Sequence, residues 1–221
     1  MGRDPPALVD RVRLGSGLFF SGGVGYPLLS AAQMAPDLSE GARTAVALLS
    51  MLMSAGGLAA VNVFTRRAFR PHELWSAALM WGIPLAMFIC GLWQVFGPGT
   101  LVFVTTGSGP WSGNTYLGLV TMLWAGGEAL AHYSLLRKRL KLGLADPIVA
   151  NRMFLWGFSI FAAASISAST LVLQALGYNV AGTALGTLLV GPLGLVSASG
   201  LALAFWPPKA YLAWVQAREN F

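Results

Sequence analysis

The chain alternates between long apolar runs and short polar breaks. A helix needs about 20 apolar residues to cross the hydrocarbon core of a bilayer, and six runs reach that length. They cover residues 14–34, 44–64, 74–96, 115–136, 148–176 and 180–206. The pattern predicts an all-α integral membrane protein built as a bundle of six transmembrane helices. Residues 209–221 are predicted to form a short interfacial tail, because Tyr211, Trp214 and Val215 share a helical face.

Composition supports a membrane location. Of the 221 residues, 56% are hydrophobic and only 10% are charged, whereas soluble domains carry about 25% charged residues. The breaks between the runs are too short to hold a soluble domain, so residues 1–221 are predicted to form a single polytopic transmembrane domain. Cys90 is the one cysteine of the chain, which excludes an intrachain disulfide.

The basic residues predict the orientation. Lys and Arg collect in those breaks that share one side of a six-span topology, whereas residues 97–114 contain none. By the positive-inside rule, both termini are expected in the cytoplasm and the protein in the inner (cytoplasmic) cell membrane. The net charge of +6 does not indicate nucleic-acid binding, because the basic residues lie at helix ends. Two clusters are expected to attract anionic lipid headgroups, by about 1 kcal/mol per charge: Arg66, Arg67 and Arg70, and Arg137, Lys138, Arg139 and Lys141.

A faint internal repeat is a further hypothesis. Residues 55–67, AGGLAAVNVFTRR, align with residues 125–137, AGGEALAHYSLLR. Each segment is followed by basic residues, a proline, and a helix that carries MWG or LWG. The alignment indicates a possible parallel duplication of a helical hairpin. It places Asn62 at the position that corresponds to His132.

One polar pair is the candidate for chemistry. Glu128 is the one acidic residue in the interior of an apolar run, and His132 follows it by four positions and shares its helical face. A carboxylate is costly in hydrocarbon, so it is paired, neutralised or placed against water for a purpose. The predicted ligand- or proton-binding residues are Glu128, His132, Arg152, Thr121, Trp124 and Asn62. The alternative is a structural pair in which His132 or Arg152 satisfies Glu128.

Several site types do not fit the residues. A retinal protein needs a lysine at mid-membrane depth, and every lysine here lies at a helix end. A bis-histidine haem needs two histidines at one depth, but His72 lies in a break. The chain also offers too few His and carboxylate ligands for a metal hydrolase, and no GxSxG motif marks a nucleophile. We therefore predict no metal and no cofactor.

Function is less constrained than location. Short breaks leave no room for a soluble catalytic part, so an enzyme is the least favoured class. The leading hypothesis is a sensory or accessory subunit that responds to a small molecule or to protons and acts with a partner protein. The alternatives are a small proton-coupled secondary transporter that uses Glu128 and a membrane-embedded enzyme.

Overall fold

The computed structural model describes residues 39–96, 110–177 and 184–218, and its regular secondary structure within these ranges is helical. The described helices are α1 Glu40–Phe69, α2 Leu74–Phe96, α3 Pro110–Leu140, α4 Pro147–Ala175, α5 Ala184–Phe205 and α6 Lys209–Arg218. Four stretches among them are long and apolar enough to cross a membrane: Thr44–Phe69, Leu74–Trp93, Pro147–Leu173 and Leu188–Phe205. The all-helical class is thus confirmed, and four of the predicted spans have the properties that crossing requires.

The remaining topological predictions stay predictions. The first predicted span, 14–34, lies outside the described residues, as do residues 180–183 at the start of the sixth and residues 219–221 of the tail. The fourth predicted span is helical throughout within α3, but α3 is not among the four apolar stretches. Glu128 and His132 lower its apolarity. The orientation of the termini depends on the basic residues alone.

Local chemistry explains where the helices begin. The Ser39 hydroxyl accepts a hydrogen bond from the Ala42 amide at 3.3 Å and caps α1. The Asp146 carboxylate accepts one from the Ile148 amide at 2.8 Å, next to a proline at the first position of α4. Helix α3 begins at Pro110, five residues before the predicted span, because proline is well tolerated in a first helical turn.

Backbone contacts divide the chain into two compact units, which we call the N-terminal unit (up to Thr121) and the C-terminal unit (from Met122). In the N-terminal unit, α1 and α2 pack as an antiparallel hairpin, with Gly91 against the Met51 side chain. The start of α3 packs on both helices. A Cβ placed on Gly113 would lie 3.2 Å from the Cys90 sulfur, and one on Gly118 would lie 3.6 Å from Leu58 Cδ1.

In the C-terminal unit, α4 contacts every other described helix of that unit. A Cβ on Gly157 would lie 2.7 Å from Leu130 of α3, and Gly200 of α5 lies directly over the Ser159 side chain. The Asn151 amide donates a hydrogen bond of 2.9 Å to the Tyr211 hydroxyl and so attaches α6 to α4. Glycine permits these close approaches because it carries no side chain.

The proposed duplication remains a hypothesis. The two aligned Trp-Gly pairs have different surroundings: Trp81 is 69% exposed, whereas Trp156 is 2% exposed. A Cβ added to Gly82 would meet no atom of the described residues within 4 Å, whereas Gly157 is tightly packed against Leu130. Any common origin of the two segments has therefore not preserved equivalent packing.

Candidate functional site

The strongest sign of a binding site is the side chain of Asn62 in the N-terminal unit. Asn62 is completely buried, and neither its Nδ2 nor its Oδ1 atom has a hydrogen-bond partner among the described residues. A side-chain amide offers two donor hydrogens and two acceptor lone pairs. Because an unpaired buried polar group costs about 1–3 kcal/mol, such groups nearly always have a partner in native proteins. The position therefore calls for a bound water or ligand.

Thr121 presents a second unpaired group in the same unit. Thr121 is fully buried, and its hydroxyl has no hydrogen-bond partner in the described part of the chain. A helical threonine ordinarily donates to the carbonyl four residues earlier, as the Thr65 hydroxyl does to the Val61 carbonyl at 2.9 Å. Thr121 does not make that bond, so its hydroxyl stays available.

Three helix contacts place Asn62 and Thr121 at one level. Met51 lies against Gly91, Cys90 lies against Gly113, and Leu58 lies against Gly118. Because Cys90 and Gly91 are adjacent, the first two contacts put Met51 of α1 and Gly113 of α3 at about the same level. From there to the third contact, both helices advance along the chain, by seven residues on α1 to Leu58 and by five on α3 to Gly118, so α1 and α3 run parallel. Asn62 follows Leu58 by four residues, about 6 Å, and Thr121 follows Gly118 by three, about 4.5 Å, at 1.5 Å per residue.

The residues of α2 at this level are apolar. The antiparallel register that pairs Met51 with Gly91 places Asn62 opposite Met80, which is buried, and Ile83 lies one turn away and is also buried. The neighbouring buried hydroxyl of Ser76 donates to the Arg70 and Glu73 carbonyls at 2.8 and 2.7 Å. The buried hydroxyls of Ser76 and Thr65 are thus satisfied internally, whereas the Asn62 amide and the Thr121 hydroxyl have no partner among the described residues. We call this arrangement the Asn62–Thr121 site.

Arg66 is a further candidate for this site, and the sequence interpretation missed it. Its Nε atom is buried and has no hydrogen-bond partner within the described ranges. Arg66 follows Asn62 by four residues on α1, and side chains on a helix point back over the preceding turn. A side chain in this usual direction extends from Arg66 towards Asn62. The spacing of four is visible in the sequence, but no local pattern shows that Arg66 Nε is buried without an acceptor.

The other predicted site residues belong to the C-terminal unit. Trp124 and Glu128 are half-buried, and His132 is exposed. Glu128 and His132 each engage in a polar or ring interaction. The buried apolar side chains of α3 in this unit form a line through Ala125, Ala129 and Leu136. Ala125 and Ala129 each follow Trp124 and Glu128 by one residue, so the buried line is rotated by about 100° around the helix axis from these two side chains.

Arg152 lies at a different level from Glu128. Leu130 faces Gly157, and the Tyr133 ring lies 5.2 Å from the Phe154 ring. This antiparallel register places Arg152 level with Leu135, which is seven residues from Glu128, or about 10 Å along the axis. The Nε atom of Arg152 is buried and lacks a hydrogen-bond partner among the residues described. The predicted residues thus fall into two groups, and Asn62 and Thr121 form the more fully buried one.

Other proteins supply no identification. Comparison with protein-family models, curated proteins and solved structures gives no match. Among the residues that the structure describes, no three His, Cys, Asp or Glu side chains come together as metal ligands would. Function is therefore inferred from the buried polar groups.

Proposed function

We propose that this protein is a membrane-embedded sensory or accessory subunit that binds a small molecule at the Asn62–Thr121 site and acts with a partner protein. The observation that carries the proposal is the completely buried Asn62 amide, whose hydrogen-bonding positions are all unmet by the described residues. A purely structural core position would be occupied at lower cost by an apolar side chain. A polar ligand that hydrogen-bonds to the amide offsets the free-energy cost of burying it, so ligand binding is favoured.

Binding can reach a partner because the site joins three helices. Its groups come from α1 and α3, and the register of the α1–α2 hairpin brings the buried Met80 and Ile83 of α2 to about the same level. A guest that bonds to both Asn62 and Thr121 fixes the position of the start of α3 relative to the α1–α2 hairpin. Such a ligand stabilises one helix arrangement in proportion to its differential affinity. A partner protein that contacts these helices then responds to whether the ligand is bound.

The test uses the low-molecular-weight fraction of a cell extract as the probe. We expect this fraction to raise the melting temperature of the purified protein, because a ligand that binds only the folded state stabilises it. The Asn62→Leu variant is expected to lose the response, and Asn151→Leu, which changes an asparagine that already has a partner, is expected to keep it. Tryptophan fluorescence in detergent provides the readout.

A second arm examines the partner. Cross-linking in native membranes, with and without the same fraction, is expected to show a complex whose yield changes in the wild type and not in Asn62→Leu. An unchanged melting temperature in the wild type, or an equal shift in Asn62→Leu, would contradict ligand binding at this site. An unchanged cross-linking pattern would contradict the sensory role.

A proton-coupled transporter is the second candidate, and one observation favours it. Helix α3 is 31 residues long, yet it is not among the four stretches that are apolar enough to cross a membrane, and it carries the half-buried Glu128. A long helix of moderate polarity is typical of one that lines a wet path.

We expect Glu128→Gln to abolish any proton flux that the purified protein mediates, because an amide cannot release a proton. Flux is measured in liposomes that contain a pH-sensitive dye, with an imposed pH gradient. His72→Gln, outside the apolar runs, is the control. Equal flux in the wild type and Glu128→Gln would exclude Glu128 as the carrier.

A further inference from the structure

The chemistry of the unpaired groups indicates which molecule the Asn62–Thr121 site takes. We infer that its ligand is a small organic carboxylate, an inference that rests on the proposed ligand-binding function. Three donors lack acceptors in the described part of the N-terminal unit: Arg66 Nε, Asn62 Nδ2 and the Thr121 hydroxyl. A carboxylate offers two oxygens with about four lone-pair positions, so one such group satisfies all three donors.

The charge of the ligand follows from Arg66. The three arginines near the end of α1 have different surroundings. Arg70 lies over the Trp75 ring, with its Cζ atom 6.0 Å from the ring centroid, and Arg67 is exposed and has an interaction of its own. Of these three arginines, only Arg66 has a buried Nε–H group that lacks an acceptor among the described residues. A hydrogen bond from a buried guanidinium nitrogen such as Arg66 Nε is strongest to an anionic oxygen, and carboxylates match the guanidinium geometry.

The size of the ligand follows from the spacing. Arg66 and Asn62 are one helical turn apart, about 6 Å along α1, and long side chains on a helix usually point back over the preceding turn. A single carboxylate therefore spans the interval between them. Asn62 Oδ1 also lacks a donor in the described ranges, so a ligand that carries a hydroxyl next to its carboxylate can donate a further hydrogen bond to this oxygen. The buried Met80 and Ile83 side chains, at about the same level on α2, are apolar partners for a short hydrocarbon portion.

The test compares three probes of nearly equal size on the full-length protein in nanodiscs of zwitterionic lipid: lactate, propionate and propionamide. We expect lactate to bind most tightly, propionate next and the uncharged propionamide least, by isothermal titration. Arg66→Gln is expected to weaken propionate binding by about tenfold or more. Arg67→Gln is the matched control, because it removes one positive charge from the adjacent exposed position and is expected to leave the affinity unchanged.

Three outcomes would overturn the inference. If the cell-extract fraction shifts the melting temperature but neither carboxylate binds, a ligand exists and its class is wrong. If propionamide binds as well as propionate, the charge assignment is wrong. If no probe binds, and anionic lipid added to the nanodiscs stabilises the wild type but not Arg66→Gln, then Arg66 holds a lipid headgroup. Failure of the extract as well would instead remove the proposed function itself.

Discussion

Replacing Gly157 by alanine is expected to destabilise the protein by about 1–3 kcal/mol, the usual cost of inserting a methyl group into a packed core. A Cβ at this position would lie 2.7 Å from both Cγ and Cδ2 of Leu130 and 3.2 Å from the Leu130 backbone nitrogen. The side chain can rotate away, but the backbone of α3 cannot. The α3–α4 hairpin must therefore separate slightly.

Gly82 provides a matched control, because it occupies the aligned position in the proposed repeat. No atom of the described residues lies within 4 Å of its Cβ position, so Gly82→Ala is expected to stabilise α2 by about 0.5–1 kcal/mol through helix propensity alone. Unfolding in detergent, followed by tryptophan fluorescence, measures both variants. Equal effects at the two positions would contradict the close packing of α4 against Leu130 and restore equivalence between the repeated segments.

Replacing Asn62 by leucine is expected to stabilise the protein in the absence of ligand, by about 1–3 kcal/mol. The reason is that this change removes a buried amide with no partner among the described residues, and an unpaired buried group costs that amount. Leucine has the same branched skeleton of four side-chain heavy atoms as asparagine, with two methyl groups in place of the amide oxygen and nitrogen, and it is apolar like Met80 and Ile83. The same change abolishes ligand binding, so stability rises as function is lost, a trade-off common at binding sites.

Asn151 supplies the comparison for this prediction. Its amide donates to the Tyr211 hydroxyl at 2.9 Å, so Asn151→Leu leaves that hydroxyl without this donor and is expected to destabilise the protein by about 1 kcal/mol. Opposite signs for the two Asn→Leu variants, measured on dialysed protein, are the expected result. A destabilising effect of Asn62→Leu would mean that a structural water satisfies the amide, and the binding site would then lose its main support.

The candidate site was only partly predictable from the sequence. The sequence indicates both Asn62 and Thr121 as candidates, Thr121 on the helix of Glu128 and Asn62 as the counterpart of His132 in the repeat. The period of a helix fixes which residues of that helix share a face, and it does not fix which face meets another helix. In the structure, Asn62 is fully buried while His132, its counterpart in the aligned repeat, is exposed. The rotation of each helix about its own axis decides between these two environments.

The sequence by itself determined the helical class and the positions of the helices. Apolar runs of about 20 residues between polar breaks can satisfy their backbone groups only within helices when they lie in lipid, and so the predicted span 74–96 coincides with α2. The tertiary structure decided which polar side chains lack partners. Hydrogen bonding of Asn62, Thr121 and Arg66 depends on atoms from helices far apart in the chain, and no local pattern encodes those distances.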